Sequence, residues 1–179
     1  MTPVSPWFER KFDFPFPQEL LPNLYARLRG SPARLEEATR QPSRELLIAK
    51  PQGKWSAQEH AGHLADLEPL WLARVQDFVK STSQLTAADL TNRTTHQANH
   101  NARPLDDILR EFRAARERLL ERVEELGAPL FAIAIPHPRL QTPMRLADHL
   151  YFIAEHDDHH LAQIHILAHT IETPDVISS

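Results

Sequence analysis

The sequence contains no cysteine. That excludes a disulfide framework, a thiolate metal site and a cysteine nucleophile, and it suits a reducing, cytoplasmic location. Long apolar runs are missing too. Nothing approaches the ~18 residues that a membrane span needs, and the opening Met1-Thr2-Pro3-Val4-Ser5-Pro6-Trp7 lacks the apolar stretch of a secretory signal. Glycine is scarce, with four in 179 residues, whereas fifteen prolines fall mainly between periodic segments. This is the punctuation of a helical chain with stiff connections. Positive charge is not in excess: 20 Lys and Arg against 24 Asp and Glu give −4, so nucleic acid is not an expected partner. The arginines alternate with acids, as in Arg110-Glu111-Phe112-Arg113 and Glu117-Arg118, the pattern of a solvated helix face. What the chain has in abundance is histidine, eleven in all, six of them between His149 and His169.

Hydrophobic patterning divides the chain into four long segments. The first runs from about Gln18 to Arg40, with an interruption expected near Gly30, where Ser31-Pro32 offers an N-cap and a proline at the first helical position. The second starts at Ser56, because Ser56-Ala57-Gln58-Glu59 is a capping box. It continues to about Lys80 with a possible kink at Pro69, and Leu64, Leu67, Trp71, Val75 and Phe78 form its apolar stripe. A third covers about Pro104 to Leu126, with Leu105, Ile108, Phe112, Ala115, Leu119 and Val123 on one face and Gly127 at its end. The fourth follows Thr142-Pro143 and runs to about Thr170. Residues 1–179 read as a single domain, with 1–17 as an N-terminal extension and 81–103 as a long polar loop. Loops of that length are uncommon in compact domains unless they serve a site. Ala128 to Gln141 reads as a connection with one extended piece. With no convincing strand pair, the expected fold class is all-α, an antiparallel four-helix bundle.

On a helical wheel at about 100° per residue, His160 lies about 40° from His156, one turn on and on the same face. Two imidazoles at this i, i+4 spacing can converge on one cation. His149 and Gln163 fall within about 20° of His156, His159 lies about 60° off, and His165 and His169 point elsewhere. A third imidazole would complete a site that keeps an open position for water or substrate. The second helix offers His60 and His63; His63 follows Gly62, where a neighbouring element can approach closely. His96 and His100 share the i, i+4 spacing but lie in the loop, where spacing carries little meaning. Asp157 falls on the apolar stripe of the fourth helix, among Leu146, Leu150, Leu161, Ile164 and Ala168. An unpaired buried carboxylate is costly, so Asp157 needs a partner on another helix: a ligand histidine, Trp55 or the second helix's N-terminus.

Two segments together carry a family resemblance: Gly53-Lys54-Trp55-Ser56-Ala57-Gln58-Glu59-His60-Ala61-Gly62-His63-Leu64-Ala65-Asp66, and Ala154-Glu155-His156-Asp157-Asp158-His159-His160-Leu161-Ala162-Gln163-Ile164. In this order and spacing the chain resembles the DinB superfamily of DinB-like (YfiT-type) four-helix-bundle metalloproteins. The resemblance implies metal ligation by His63, His156 and His160, with His60 in packing or support. Relatives of this kind include S-transferases using bacillithiol, mycothiol or glutathione, maleylpyruvate isomerases, and proteins described only as metal-dependent hydrolases; many are homodimers. The expected cofactors are therefore one divalent metal ion, zinc or nickel, and a low-molecular-weight thiol. The expected partners are a small-molecule substrate and a second copy of the chain. Three functions follow: a metal-dependent thiol S-transferase, a hydrolase acting through a metal-bound hydroxide, or a metal-binding stress protein without turnover. A hydrolase also needs a general base and an oxyanion donor near the metal, for which Asp66 and Gln163 are the candidates; for a thiol enzyme, Asn92, Arg93, His96 and His100 are candidate contacts to an anionic cofactor. His137 reads as either pocket lining or loop.

Overall fold

The capping box forms as expected. Ser56 Oγ accepts from Glu59 N at 3.1 Å, and Ser56 N donates to Glu59 Oε2 at 2.9 Å. It starts the helix α3, one of six in a computed structural model that describes residues 3–170. In chain order these are α1 (Leu21–Arg40), α2 (Arg44–Ile48), α3 (Ala57–Lys80), α4 (Arg93–Gln97), α5 (Leu105–Glu124) and α6 (Leu146–Thr170). The predicted domain's residues 1–2 and 171–179 lie outside the described residues.

The four long helices make a bundle in which α1 and α3 each pack against both α5 and α6. Residue pairing sets their directions. Arg29 meets Glu124 while Glu36 meets Arg113, and Phe78 lies beside His149 while His63 lies beside His160. The α1–α5 and α3–α6 pairs are therefore antiparallel, as expected. The other two neighbour pairs run the same way: Gln58 reaches Arg103 and Glu68 reaches Arg116, and Leu24 and Leu35 pack in the clusters of Leu150 and Ile164 respectively. The 81–103 segment makes this possible. It leaves the C-terminal end of α3, where Thr86 N donates to Asp77 Oδ2, and returns along the bundle to that helix's first turn. There Gln58 Nε2 donates to His100 O, and Ser56 Oγ donates to Asn101 Oδ1. The expected loop is thus a crossover connection, and it carries α4 and a 3₁₀ turn at His100–Ala102.

Two further expectations are corrected. Helix α1 is continuous through Gly30 and Pro32. A mid-helix proline orphans the carbonyl four residues earlier; here that carbonyl, Leu28 O, accepts from Arg116 Nη1 at 3.2 Å. Strand pairing also exists. β1 (Ala134–Pro136) pairs antiparallel with β2 (Pro143–Arg145), with Ile135 opposite Met144, and the hairpin leads directly into α6.

The core has two apolar clusters. One holds Leu28, Trp71, Phe78, Leu119, Leu150 and Ile153; the other holds Leu35, Leu64, Ile108, Phe112 and Ile164. Between them lies a buried ionic layer built from one residue each of α3, α5 and α6. Arg116 donates to Asp157 at 2.6 and 3.1 Å and to Glu68 at 2.5 Å. Burial disfavours the guanidinium charge, but the two carboxylates outweigh it and raise the Arg116 pKa above its ordinary value. Asp157 does bind across helices, but to Arg116 rather than to any of the partners expected for it. Within an arginine-rich stretch that otherwise faces solvent, Arg116 alone turns fully inward.

Candidate metal centre

Near the N-terminal end of α3, one helical face presents His60 and His63, and α6 presents His156, His159 and His160 from across the bundle. Three of these imidazoles converge. One nitrogen from each of His63, His156 and His160 lies within 4.8 Å of the others, and all three residues are buried. His156 Nε2 and His160 Nε2 are 3.1 Å apart. Tetrahedral ligand atoms on a zinc-like ion, with bonds of about 2.0–2.1 Å, lie about 3.3 Å from each other, so this pair is already close to the required spacing. Burial, and then the neighbouring imidazoles, depress His156 and His160 well below the ordinary histidine range; burial pushes His63 down to about 3. All three are neutral at pH 7, the form that donates to a cation.

A polar relay fixes how His63 faces the site. Thr95 Oγ1 donates to Asp66 Oδ2 at 2.8 Å. Its one proton is committed, so at 3.0 Å it accepts from His63 Nδ1–H. That assigns the tautomer and leaves His63 Nε2 with a free lone pair. His100 Nε2–H donates to the same carboxylate oxygen at 2.9 Å. Burial opposes ionisation of Asp66, but the bonds from His100 and Thr95 outweigh it and hold its pKa below the usual value. Gly62 makes room for the relay: a Cβ there would sit 2.3 Å from His100 Cγ. The close approach expected at Gly62 is therefore made by an imidazole from the crossover.

Each of the other two imidazoles has its own support. His160 Nδ1 lies 2.8 Å from His60 Nδ1, which places His60 behind the triad rather than within it. His156 is wedged between Trp7 and Trp71, at ring distances of 5.0 and 5.5 Å. Trp55 covers the opposite side, 4.8 Å from His63. The triad opens into a cavity of about 490 Å³ with tryptophan walls and one side built from the crossover.

Residues 27–164 match the family model described as the DinB superfamily. The chain belongs to the DinB superfamily. YfiT from Bacillus subtilis, described as a probable metal-dependent hydrolase with an unusual four-helix bundle topology, superposes on this DinB fold with a TM-score of 0.77. It is 19% identical, and the match covers 89% of this chain and 91% of that one. No curated protein matches the chain.

The remaining site candidates of the DinB chain scatter. Asn92 and His137 line the cavity. Arg93 does not; His96 stands behind Trp55, at 5.6 Å; His100 is committed to Asp66. Asp66 supports His63 and is not among the cavity residues, and neither is Gln163. His149 is buried near Trp71, with Nε2 3.4 Å from Trp71 O, and the His169 side chain lies outside the described residues. Sequence reasoning missed Thr95, Trp7, Arg74 and Arg139. Two of these left a trace: Arg139 in the Pro138-Arg139-Leu140 segment that fits the family resemblance, and Arg74 as a charge three residues after Trp71 on the buried stripe of α3.

Proposed function

We propose that the protein is a metal-dependent enzyme of the thiol S-transferase type that holds one divalent cation, zinc or nickel, through His63, His156 and His160. The observation that carries this is the set of three neutral imidazoles that converge beside Trp7, Trp55 and Trp71 at one end of the cavity, with no carboxylate in the converging set among the described residues. Three imidazoles suit zinc and other late first-row ions. When bound, the cation supplies positive charge that lowers the pKa of a thiol or water entering its open position.

The chain's own residues then do four things. The Asp66–Thr95 relay keeps His63 in the tautomer that can donate from Nε2, and such support sets ligand basicity and orientation. His60 can take the Nδ1 proton of His160 in a hydrogen bond and so leave Nε2 of that ring free. Trp7, Trp55 and Trp71 exclude water, which strengthens electrostatic effects in the site. The cavity admits a cofactor thiol together with an electrophile. In transfer to an aryl halide, the carbon–sulfur bond forms, the carbon–halogen bond breaks, halide leaves and the thiol proton goes to solvent.

A general base is the part a hydrolase would still need. Asp66 is already engaged by Thr95 and His100, the cavity's Asp89 accepts from Thr91 and from Arg93 N, and burial pushes His159, which also lines the cavity, down to about 4. That favours a reaction whose nucleophile is the cofactor's own thiolate. Hydrolysis is the second reading, supported by the description of YfiT. Turnover of zinc- and nickel-loaded protein on a chromogenic aryl halide, with bacillithiol, mycothiol or glutathione, tests the first reading against a chromogenic ester for the second. Thiol-dependent halide release abolished by His160→Ala is expected. Ester cleavage without thiol, and no halide release with any thiol, would replace transfer by hydrolysis.

A further inference from the structure

Three donor side chains gather at the other end of the same cavity, and buried N–H groups on two of them have no acceptor among the described residues. Arg74, on α3, is 1% exposed. Its only hydrogen bond among the described residues runs from Nε to Thr86 O at 2.8 Å, and its guanidinium carbon lies 5.4 Å from the centre of Trp71. No carboxylate among the described residues comes within 4.0 Å of it. Arg139, in the β1–β2 turn, packs against Phe8 and Phe152 at 5.2 and 6.0 Å, and its Nη2 is buried with no partner. His137, 2% exposed, accepts at Nδ1 from the backbone N–H groups of Arg139 and Leu140, both at 3.2 Å. The neutral ring therefore carries its proton on Nε2, and that nitrogen is also buried and unpartnered.

Buried cations are normally paired and buried N–H groups are normally satisfied. Here two guanidinium groups without an ion pair among the described residues and an imidazole N–H line one cavity wall; Asp77 offsets the Arg74 charge only in part, and Arg139 Nη2 and His137 Nε2 are unsatisfied. The three also feel each other. Burial first, then Arg74 and Arg139, push His137 down to about 3, and burial lowers Arg74 to about 10. An anion would satisfy all of them, and the planar fork of arginine suits a carboxylate or a phosphate. One aromatic ring separates this cluster from the triad: Trp71 touches both Arg74 and His156, and Phe152 lies 5.1 Å from His137 and 5.2 Å from Trp7.

We infer that Arg74, His137 and Arg139 form an oxyanion-binding subsite, so that the cavity takes a ligand with a carboxylate or phosphate at one end, an apolar body, and its reacting end at the histidine triad. The last element rests on the proposed metal function; the anion subsite itself does not. Chelator-treated protein separates the two, because no metal is then present to bind an anion. Calorimetric titration with phenylacetate, phenyl phosphate and the uncharged phenylacetamide reads the subsite directly. At least one anion should bind ten-fold or more tighter than the amide, and the tighter of the two identifies the natural headgroup.

Arg139→Gln, a change at a half-buried position, should abolish that preference while leaving zinc affinity within two-fold, and Arg139→Lys should restore part of it. Equal binding of anions and amide would overturn the inference. So would an anion preference that survives in Arg139→Gln. Anion binding in a protein that takes up no zinc would leave the subsite standing and remove the metal reading; zinc uptake without anion preference would do the reverse.

Discussion

Arg116 and Arg74 are equally buried, each 1% exposed, yet they stand in opposite electrostatic situations. Arg116 uses its guanidinium on two carboxylates and a helix carbonyl freed by Pro32. Arg74 has one loop carbonyl and the face of a tryptophan. The first is closed and packed between two apolar clusters; the second opens onto a cavity. A buried charge with all its partners inside the chain stabilises the fold's register, whereas one without them is shaped for something the chain does not supply. The same division runs through the histidines: His63 is held by a relay within the chain, while the free nitrogens of the triad face one another around a common point.

The largest effect should come from breaking the closed layer. Arg116→Met leaves Glu68 and Asp157 buried without a cation and Leu28 O without a donor. Removing one member of such a network costs about 3–5 kcal/mol, so denaturant unfolding should show a loss of that size. A change below 1 kcal/mol would mean that water compensates the layer.

Next comes pH, in metal-free protein. Burial pushes His60 and His63 down to about 4 and about 3 from the 6.5 of a free histidine. The unfolded chain therefore takes up protons that the folded chain refuses. The stabilising contribution is full above pH 6.5 and is lost as the pH falls toward 3–4, with a slope of about 1.4 kcal/mol per pH unit for each such histidine. Unfolding midpoints at pH 7.5 and pH 5 check this, and a flat profile would count against neutral buried imidazoles.

Smaller effects should follow at the relay. Gly62→Ala forces the His100 ring away from α3, with an overpacking cost of about 1–3 kcal/mol. Thr95→Val removes the acceptor that sets the His63 tautomer and should weaken zinc binding about 10–100-fold, measured by competition with a chelator. An unchanged affinity would show that His63 orients itself. The smallest change should come from Arg74→Met. With no ion-paired carboxylate left behind, and Asp77 still held by Thr86, unfolding free energy should shift by no more than about 1 kcal/mol in either direction, while phenylacetate binding is lost. A loss as large as that of Arg116→Met would erase the contrast between the two arginines.

The long helices and the histidine pair were legible in the sequence because their signals are local. A capping box, an apolar stripe and an i, i+4 spacing are each read within a few turns. Asp157 was legible as a problem, a carboxylate on an apolar face, but its solution was not, since Arg116 sits among arginines that look alike in one dimension. Helix direction was hidden in the crossover, whose polar, aperiodic composition gives no hint that it runs back along the bundle. The relay was hidden for the same reason: Thr95 and His100 reach Asp66 only because the crossover docks on the first turn of α3. The carbonyl that Pro32 frees in α1, Leu28 O, finds its donor 88 residues away along the chain.

The account rests most heavily on the triad, and metal stoichiometry tests it most directly. Zinc and nickel titrated calorimetrically into chelator-treated wild type, His63→Ala and His160→Ala should give one ion per chain for the wild type and none at comparable affinity for either variant. Undiminished binding in both variants, or no binding by the folded wild type, would contradict it.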